Sequence, residues 1–269
     1  MKIYVINLKR RLDRKQFMIN QFNEYGITDY EFVEAIDGAT LDVKRVGYDD
    51  ARSKAMFRSM SNREIACALS HVLVYKKIIN SGQRGIILED DCVLSKDISN
   101  FVKTNIPENL DLVMLGHRSS NLEYAKAKPK TFEYELLSLQ PCPDGRLTRT
   151  YFKNEKITID SFDLHKVDEQ SYKIDFLFSA HGYSPSLHMC KILAGFNNKP
   201  KVPADVIWSI LHEYQFHVDI WGVINPICTI EPDKLGSDID IDRQSVIINT
   251  YNNGEIAYMQ RVLSTEYDT

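Results

Sequence analysis

The chain has no apolar run approaching the roughly 18 residues of a membrane-spanning helix, and no internal repeats or low-complexity tracts. It has no CxxC pair either. Its five cysteines (Cys67, Cys92, Cys142, Cys190 and Cys228) are scattered and odd in number, which argues against a disulfide framework and against a structural zinc site. No glycine-rich GxxxxGK[ST] loop occurs, which speaks against a P-loop kinase. The net charge of −4 gives no argument for a nucleic-acid partner. Met1 to Ile6 reads as a strand, too short and too soon followed by charge for a signal peptide. A reduced, cytoplasmic location is therefore expected. What is present is ordinary: 269 residues, 43% hydrophobic and 26% charged, with ample material for a globular core.

The stretch Gly85-Ile86-Ile87-Leu88-Glu89-Asp90-Asp91 organises the rest. Three apolar residues after a glycine-containing turn predict a short buried strand. The strand runs directly into three adjacent carboxylates, whose mutual repulsion calls for something positive. Magnesium or manganese suits them, being hard cations that take carboxylate oxygens. In open α/β sheets, ligands gather at the carboxyl ends of strands. A solvated acidic turn is the alternative, and spacing alone does not choose between the two.

Lys2 to Leu8 predicts a first buried strand, and Leu12, Ile19, Phe22 and Tyr25 one face of a helix stopping at Gly26. Lys9-Arg10-Arg11, with Arg14 and Lys15, falls at the turn between them, where an anion such as a diphosphate would be favoured. A solvated basic face is the plainer reading. Tyr30 to Ile36 alternates like a second strand and ends at Asp37-Gly38, where Asp37 could accept from a ribose or simply make the turn. Residues 39 to 60 read as an irregular loop. Ser61-Asn62-Arg63-Glu64 is a capping box, opening a helix that ends at Gly82 and contains His71.

Beyond the acidic strand, Leu110 to Leu115 predicts another strand, and residues 119 to 172 an insertion or hairpin region with strand pieces such as Leu147 to Phe152. Ile174 to Ala180 reads as a buried strand. Ser184 and Pro185 then read as the cap and first residue of a helix ending near Gly195. Asp205 is a candidate cap for a further amphipathic helix, Phe216 to Val223 a late strand, and Val246 to Ile248 a small packed element.

Four stretches taken in order resemble glycosyltransferase family 25, the bacterial lipooligosaccharide galactosyltransferases and their collagen-modifying relatives. They are Ile6 to Arg10 with Asp13-Arg14-Lys15, Ala35-Ile36-Asp37-Gly38, Arg63 to His71, and Ile87 to Asp91. The later match is looser (His181-Gly182-Tyr183, Pro203-Ala204-Asp205, Ser237-Asp238-Ile239), and Ala66 stands where the family usually has glycine. The resemblance implies an α/β, GT-A-like Rossmann-type mixed sheet flanked by helices, with a polar insertion and a smaller C-terminal acceptor-side region. Residues 1–118 would be the nucleotide-sugar-binding half and residues 119–269 the insertion and acceptor-binding half of one catalytic domain.

The resemblance further implies an inverting transfer of a hexose, most often galactose from UDP-galactose, with Mn2+ or Mg2+ as cofactor. Asp91 and Glu89 take the place of the metal ligands. Asn7, Leu8, Arg10, Arg11, Arg14, Ala35, Ile36, Asp37, Ser70, His71, Glu89 and Asp90 fall on the donor side. The implied acceptor is a core sugar of a bacterial surface glycolipid, which would bring the protein to the inner face of the cytoplasmic membrane. Asp205 is the candidate base for the acceptor hydroxyl, with His181 and then Asp163 behind it; Asp233 and Asp238 are late contributors to the donor or metal site. Rival readings are a UDP-glucose-dependent glucosyltransferase, a non-catalytic sugar-nucleotide-binding protein of the same fold, and a nucleotidyltransferase.

Overall fold

The computed structural model describes residues 1–116, 134–141, 147–167, 180–213, 218–223 and 225–230. Its first strand, β1 (Lys2–Asn7), lies between β2 (Tyr30–Glu34) and β3 (Gly85–Glu89), parallel to both, with Val5 facing Phe32 on one side and Leu88 on the other. Parallel neighbours need crossover helices. These are α1 (Leu12–Glu24), followed by Gly26 at φ +67°, and α3 (Asn62–Ser81).

The expected capping box of α3 is formed in full: Ser61 Oγ accepts from the Glu64 N–H, and Glu64 accepts from the Ser61 N–H. Buried Arg58 binds the same carboxylate, its Nη2 lying 2.5 Å from Glu64 Oε1. Gly82, at φ +68°, ends the helix as expected.

Alternation along β1 writes the two faces of the sheet. Ile3 and Val5 pack with Met18 and Phe22 of α1, Ile86, Leu88, and Phe101 of the short helix α4 (Ile98–Phe101). Tyr4 and Ile6 point the other way, toward Val72 and Ile78 of α3, Leu193 of α5 (Leu187–Asn197), and Trp208 of α6 (Ile207–Glu213). Each fully buried aliphatic side chain contributes about 1.5–3 kcal/mol, so helices are held on both faces of a mixed α/β sheet, as the sequence implied.

The sheet has nine described strands in the order β2-β1-β3-β9-β5-β10-β8-β7-β6. The further members are β5 (Leu112–Met114), β6 (Tyr134–Pro141), β7 (Leu147–Ile159), β8 (Phe162–Val167), β9 (Gly182–Pro185) and β10 (Ile220–Val223). Between β3 and β5, β9 runs antiparallel to both, whereas β10 is parallel to β5. The hairpin region β6-β7-β8 is antiparallel and joins the main sheet by pairing β8 with β10, Trp221 opposite Lys166. A separate two-stranded ribbon pairs β4 (Cys92–Leu94) with β11 (Cys228–Ile230).

Three expectations are corrected. Residues 39–60 are not an irregular loop: they hold a 3-10 turn (Val43–Val46) capped by Asp42 and a helix, α2 (Asp50–Met56), capped by Asp49. Elements this short carry too little hydrophobic periodicity to be read from sequence. Ser184 and Pro185 do not open a helix but belong to β9, with the Ser184 hydroxyl donating to the Gly85 carbonyl and Pro185 opposite Leu112. The cap two residues on, Ser186, is the one that accepts from the Met189 N–H and starts α5, which ends at Asn197. Asp205 is not a helix cap either, since the first carbonyl of α6 to accept, from the Ile210 N–H, is that of Val206. The expected strand at 174–179, the start of the one at 216, the element at Val246 to Ile248, and Asp233 and Asp238 lie outside the described residues.

Candidate active site

Because β2, β1 and β3 are parallel, their carboxyl ends meet at one edge, where Glu34 lies opposite Asn7 and Glu89 opposite Ile6. The three carboxylates of the sequence separate here into different environments. Asp90 is 5% exposed and fully engaged: Asn7 Nδ2 donates to it at 2.7 Å and Arg14 Nη1 at 2.7 Å. Arg14, from the first turn of α1, is equally buried, and the same Nη1 lies 3.3 Å from Asp91 Oδ2. Burial pushes the Asp90 carboxyl up, against the pull of Arg14 and Asn7.

Asp91 is different. Its Oδ1 is buried and has no hydrogen-bond partner among the described residues. Burial, and then the charge of Glu89, push its carboxyl up to about 6, with Arg14 opposing. A buried carboxylate oxygen left over beside a second carboxylate is what a divalent cation would complete, so Asp91 and Glu89 fit a metal.

Glu89 is held from behind. His71 Nε2 lies 3.1 Å from Glu89 Oε1, His71 Nδ1 is 2.6 Å from the Tyr183 hydroxyl, and that hydroxyl is 2.8 Å from Tyr75 Oη. An ionised carboxylate can only accept, so the proton sits on Nε2, and in the neutral ring Nδ1 accepts from Tyr183, which accepts from Tyr75. Burial works to raise Glu89, but the hydrogen bond from His71, with the charges of His181 and Arg14 behind it, outweighs it and leaves Glu89 below the usual glutamate range.

Beside this cluster opens a cleft of about 590 Å³ lined by Lys9, Arg10, Glu34, Ala35, Ile36, Asp37 and Thr40. Arg10 Nε donates to Asp37 Oδ2 at 2.8 Å, and this bond, with one from the Ala39 N–H, holds Asp37 below the usual aspartate range. The wall is pinned from below: the Ala35 N–H donates to the Asn7 carbonyl and the Ile36 N–H to Ser70 Oγ. Gly38 is required by close approach, since a Cβ there would lie 2.5 Å from the Arg63 Cα. Leu8 closes the basic turn by accepting from the Arg11 N–H, and the Arg11 guanidinium pairs with Asp13.

His181 is 1% exposed. Its carbonyl accepts from the Glu89 N–H at 2.9 Å and from Cys92 Sγ at 2.7 Å. Burial works to lower its imidazole, and Cys228, Glu89 and Asp91 together raise it above the usual range. Gly116 lies so close that a Cβ there would stand 2.5 Å from His181 Nε2. Asp205 is half-buried in the turn before α6. Burial, and then the charges of Glu89, Asp205, Glu64 and Asp91, push the Cys67 thiol well up, so Asp205 belongs to the same electrostatic neighbourhood as the acidic cluster. Asp163 does not: it is tied to Lys156 at 2.6 Å and Thr158 at 2.8 Å in the β7–β8 hairpin.

Sequence reasoning missed Tyr75, Tyr183 and Cys67. Tyr75 and Cys67 stand four residues either side of His71, hence on its face of α3, and that spacing could have found them. Tyr183 lies in the looser family-like stretch His181-Gly182-Tyr183, but nothing there ties it to His71.

A family model described as glycosyltransferase family 25 (LPS biosynthesis protein) matches residues 1–208. The chain belongs to that family. A putative glycosyltransferase of Acanthamoeba polyphaga mimivirus is 43% identical over 119 residues, covering 42% of this chain and 33% of that protein. A glycosyltransferase 25 family member of Aedes aegypti is 38% identical over 99 residues, 33% of this chain and 16% of that protein. Human procollagen galactosyltransferase 2 is 35% identical over 100 residues, 34% of this chain and 15% of that protein. The matched segments thus span a third or less of these relatives' lengths. The three are viral and animal proteins and lend no support to the expected bacterial cell surface or inner-membrane contact. Among the described residues no helix is long and apolar enough to cross a membrane.

Proposed function

We propose that this chain is a metal-dependent inverting hexosyltransferase that moves galactose from UDP-galactose to an acceptor hydroxyl. The observation that carries it is the buried Oδ1 of Asp91, without a hydrogen-bond partner among the described residues, following Glu89 at the same sheet edge as the cleft lined by Lys9, Arg10 and Asp37. Asp91 and Glu89 would hold Mn2+ or Mg2+, which when bound supplies Lewis-acid neutralisation of a departing diphosphate.

The other roles fall to the chain's own groups. Asp37 accepts from the ribose hydroxyls, and Lys9 and Arg10 face the anionic part of the donor. Asn7 and Arg14 fix Asp90, and through it the turn that carries Asp91. Asp205 takes the proton of the acceptor oxygen as that oxygen bonds to the anomeric carbon; the bond from that carbon to the diphosphate breaks, and UDP leaves with the electron pair. Asp205 suits the role better than His181 because it is half-exposed where His181 is buried.

The proposed acceptor is a core sugar of a glycolipid, in keeping with the family description. A collagen peptide is the second reading, favoured by the relative named as a procollagen galactosyltransferase. A screen of UDP-galactose, UDP-glucose and their N-acetyl forms, with Mn2+ or EDTA, tests the donor through released UDP. Metal-dependent release from UDP-galactose that Asp91→Ala abolishes is expected. Calorimetry showing no UDP binding with Mn2+ present would overturn the assignment.

A further inference from the structure

The face of α3 that carries His71 ends in ligand atoms of a different kind from those of Asp91. Cys67 and His71 are one helical turn apart, and Glu89 arrives from the neighbouring β3. One ligand atom from each of the three lies within 4.8 Å of the others. We propose that Cys67, His71 and Glu89 form a second metal site, selective for zinc or another thiophilic divalent ion, whose occupation removes Glu89 from the donor site.

Three observations support it. Thiolate and imidazole select zinc over manganese or magnesium, which prefer oxygen alone. Three protein ligands with a fourth position open make an exchangeable site rather than the closed, four-ligand kind that CxxC pairs build. The remaining ring nitrogen of His71 is already anchored by Tyr183, as the outer nitrogen of a metal-bound histidine commonly is.

Binding balances simply. Cys67 releases its thiol proton to solvent as the metal–sulfur bond forms. His71 moves its single ring proton from Nε2 to Nδ1, freeing the Nε2 lone pair for the metal. The Tyr183 and Tyr75 hydroxyls reverse direction, so that Nδ1–H donates to Tyr183. Competition for Glu89 rests on the donor-site assignment above; metal binding itself does not.

Co2+ serves as the optical probe. Titrating the metal-free protein is expected to produce a near-ultraviolet thiolate-to-cobalt charge-transfer band that Zn2+ bleaches. The band should vanish in Cys67→Ser and persist in Cys190→Ser. X-ray absorption of the zinc-loaded wild-type protein is expected to show one sulfur among nitrogen and oxygen neighbours, and it needs no variant to fold. No band, a band that survives Cys67→Ser, or a zinc shell with no sulfur or with several would overturn the site. Manganese-dependent UDP binding is measured separately. A cobalt band without UDP binding removes the donor assignment and leaves this site standing, and UDP binding without the band does the reverse.

Discussion

The two ends of the nine-stranded sheet handle charge in opposite ways. At the parallel end, β2-β1-β3, strands flanked by helices on both faces bring Asp90 and Asp91 to a shared edge where both are largely buried. There Asp90 has Arg14 and Asn7, while Asp91 meets Arg14 through Oδ2 and keeps a buried Oδ1 with no hydrogen-bond partner among the described residues. At the antiparallel end, β7-β8, Lys156 and Asp163 pair at 2.6 Å with side chains 47% and 42% exposed. The shorter ion pair is the less consequential one, because solvent screens it. Distance alone does not rank ion pairs; burial does.

The contrast can be broken deliberately. The largest effect is expected at Asp91: Asp91→Ala should lower UDP release by roughly 10²-fold or more while far-ultraviolet dichroism stays unchanged. Asp205→Asn should come next, with turnover down by about 10²–10⁴-fold and the unfolding midpoint retained; normal turnover would remove it from the mechanism. Arg14→Met leaves Asp90 buried without its cation and should cost about 3–5 kcal/mol in urea unfolding.

A smaller effect concerns pH. Asp91 is raised to about 6, so below that pH a proton occupies the carboxylate that a cation needs. Manganese affinity should therefore fall as pH drops through 6 and level off above it, measured by calorimetry between pH 5 and about 8. The sign for folding is the opposite of a salt-bridged aspartate. A raised carboxyl costs stability above its unfolded value near 3.8, so the metal-free protein should regain that contribution as pH falls through 6. Smallest of all, Asp163→Ala at the exposed end should leave both the unfolding midpoint and UDP release within error.

The same contrast explains what could be read in advance. Ser61 and Glu64 announce α3 because a capping box is made and satisfied within four residues. β1 and β3 are legible because strands buried on both faces are nearly all apolar. Ser184-Pro185 misleads because its local pattern fits a helix start, while its hydrogen bonds lie with Gly85 and with β5, far away in sequence. The acidic triplet is visible as a cluster, yet nothing in Glu89-Asp90-Asp91 says which of them Arg14 will take. That division depends on where α1 starts relative to the end of β3, a tertiary fact. The link from Glu89 through His71 to Tyr183 likewise joins residues 112 positions apart.

That link has a use in the laboratory. Burial pushes the phenols of Tyr75 and Tyr183 far above the normal tyrosine range. Of the 14 tyrosines in the chain, these two should stay silent when alkaline absorbance is used to count phenolates, and should appear only as the fold opens. The protein thereby carries its own optical indicator of whether the platform behind Glu89 is intact.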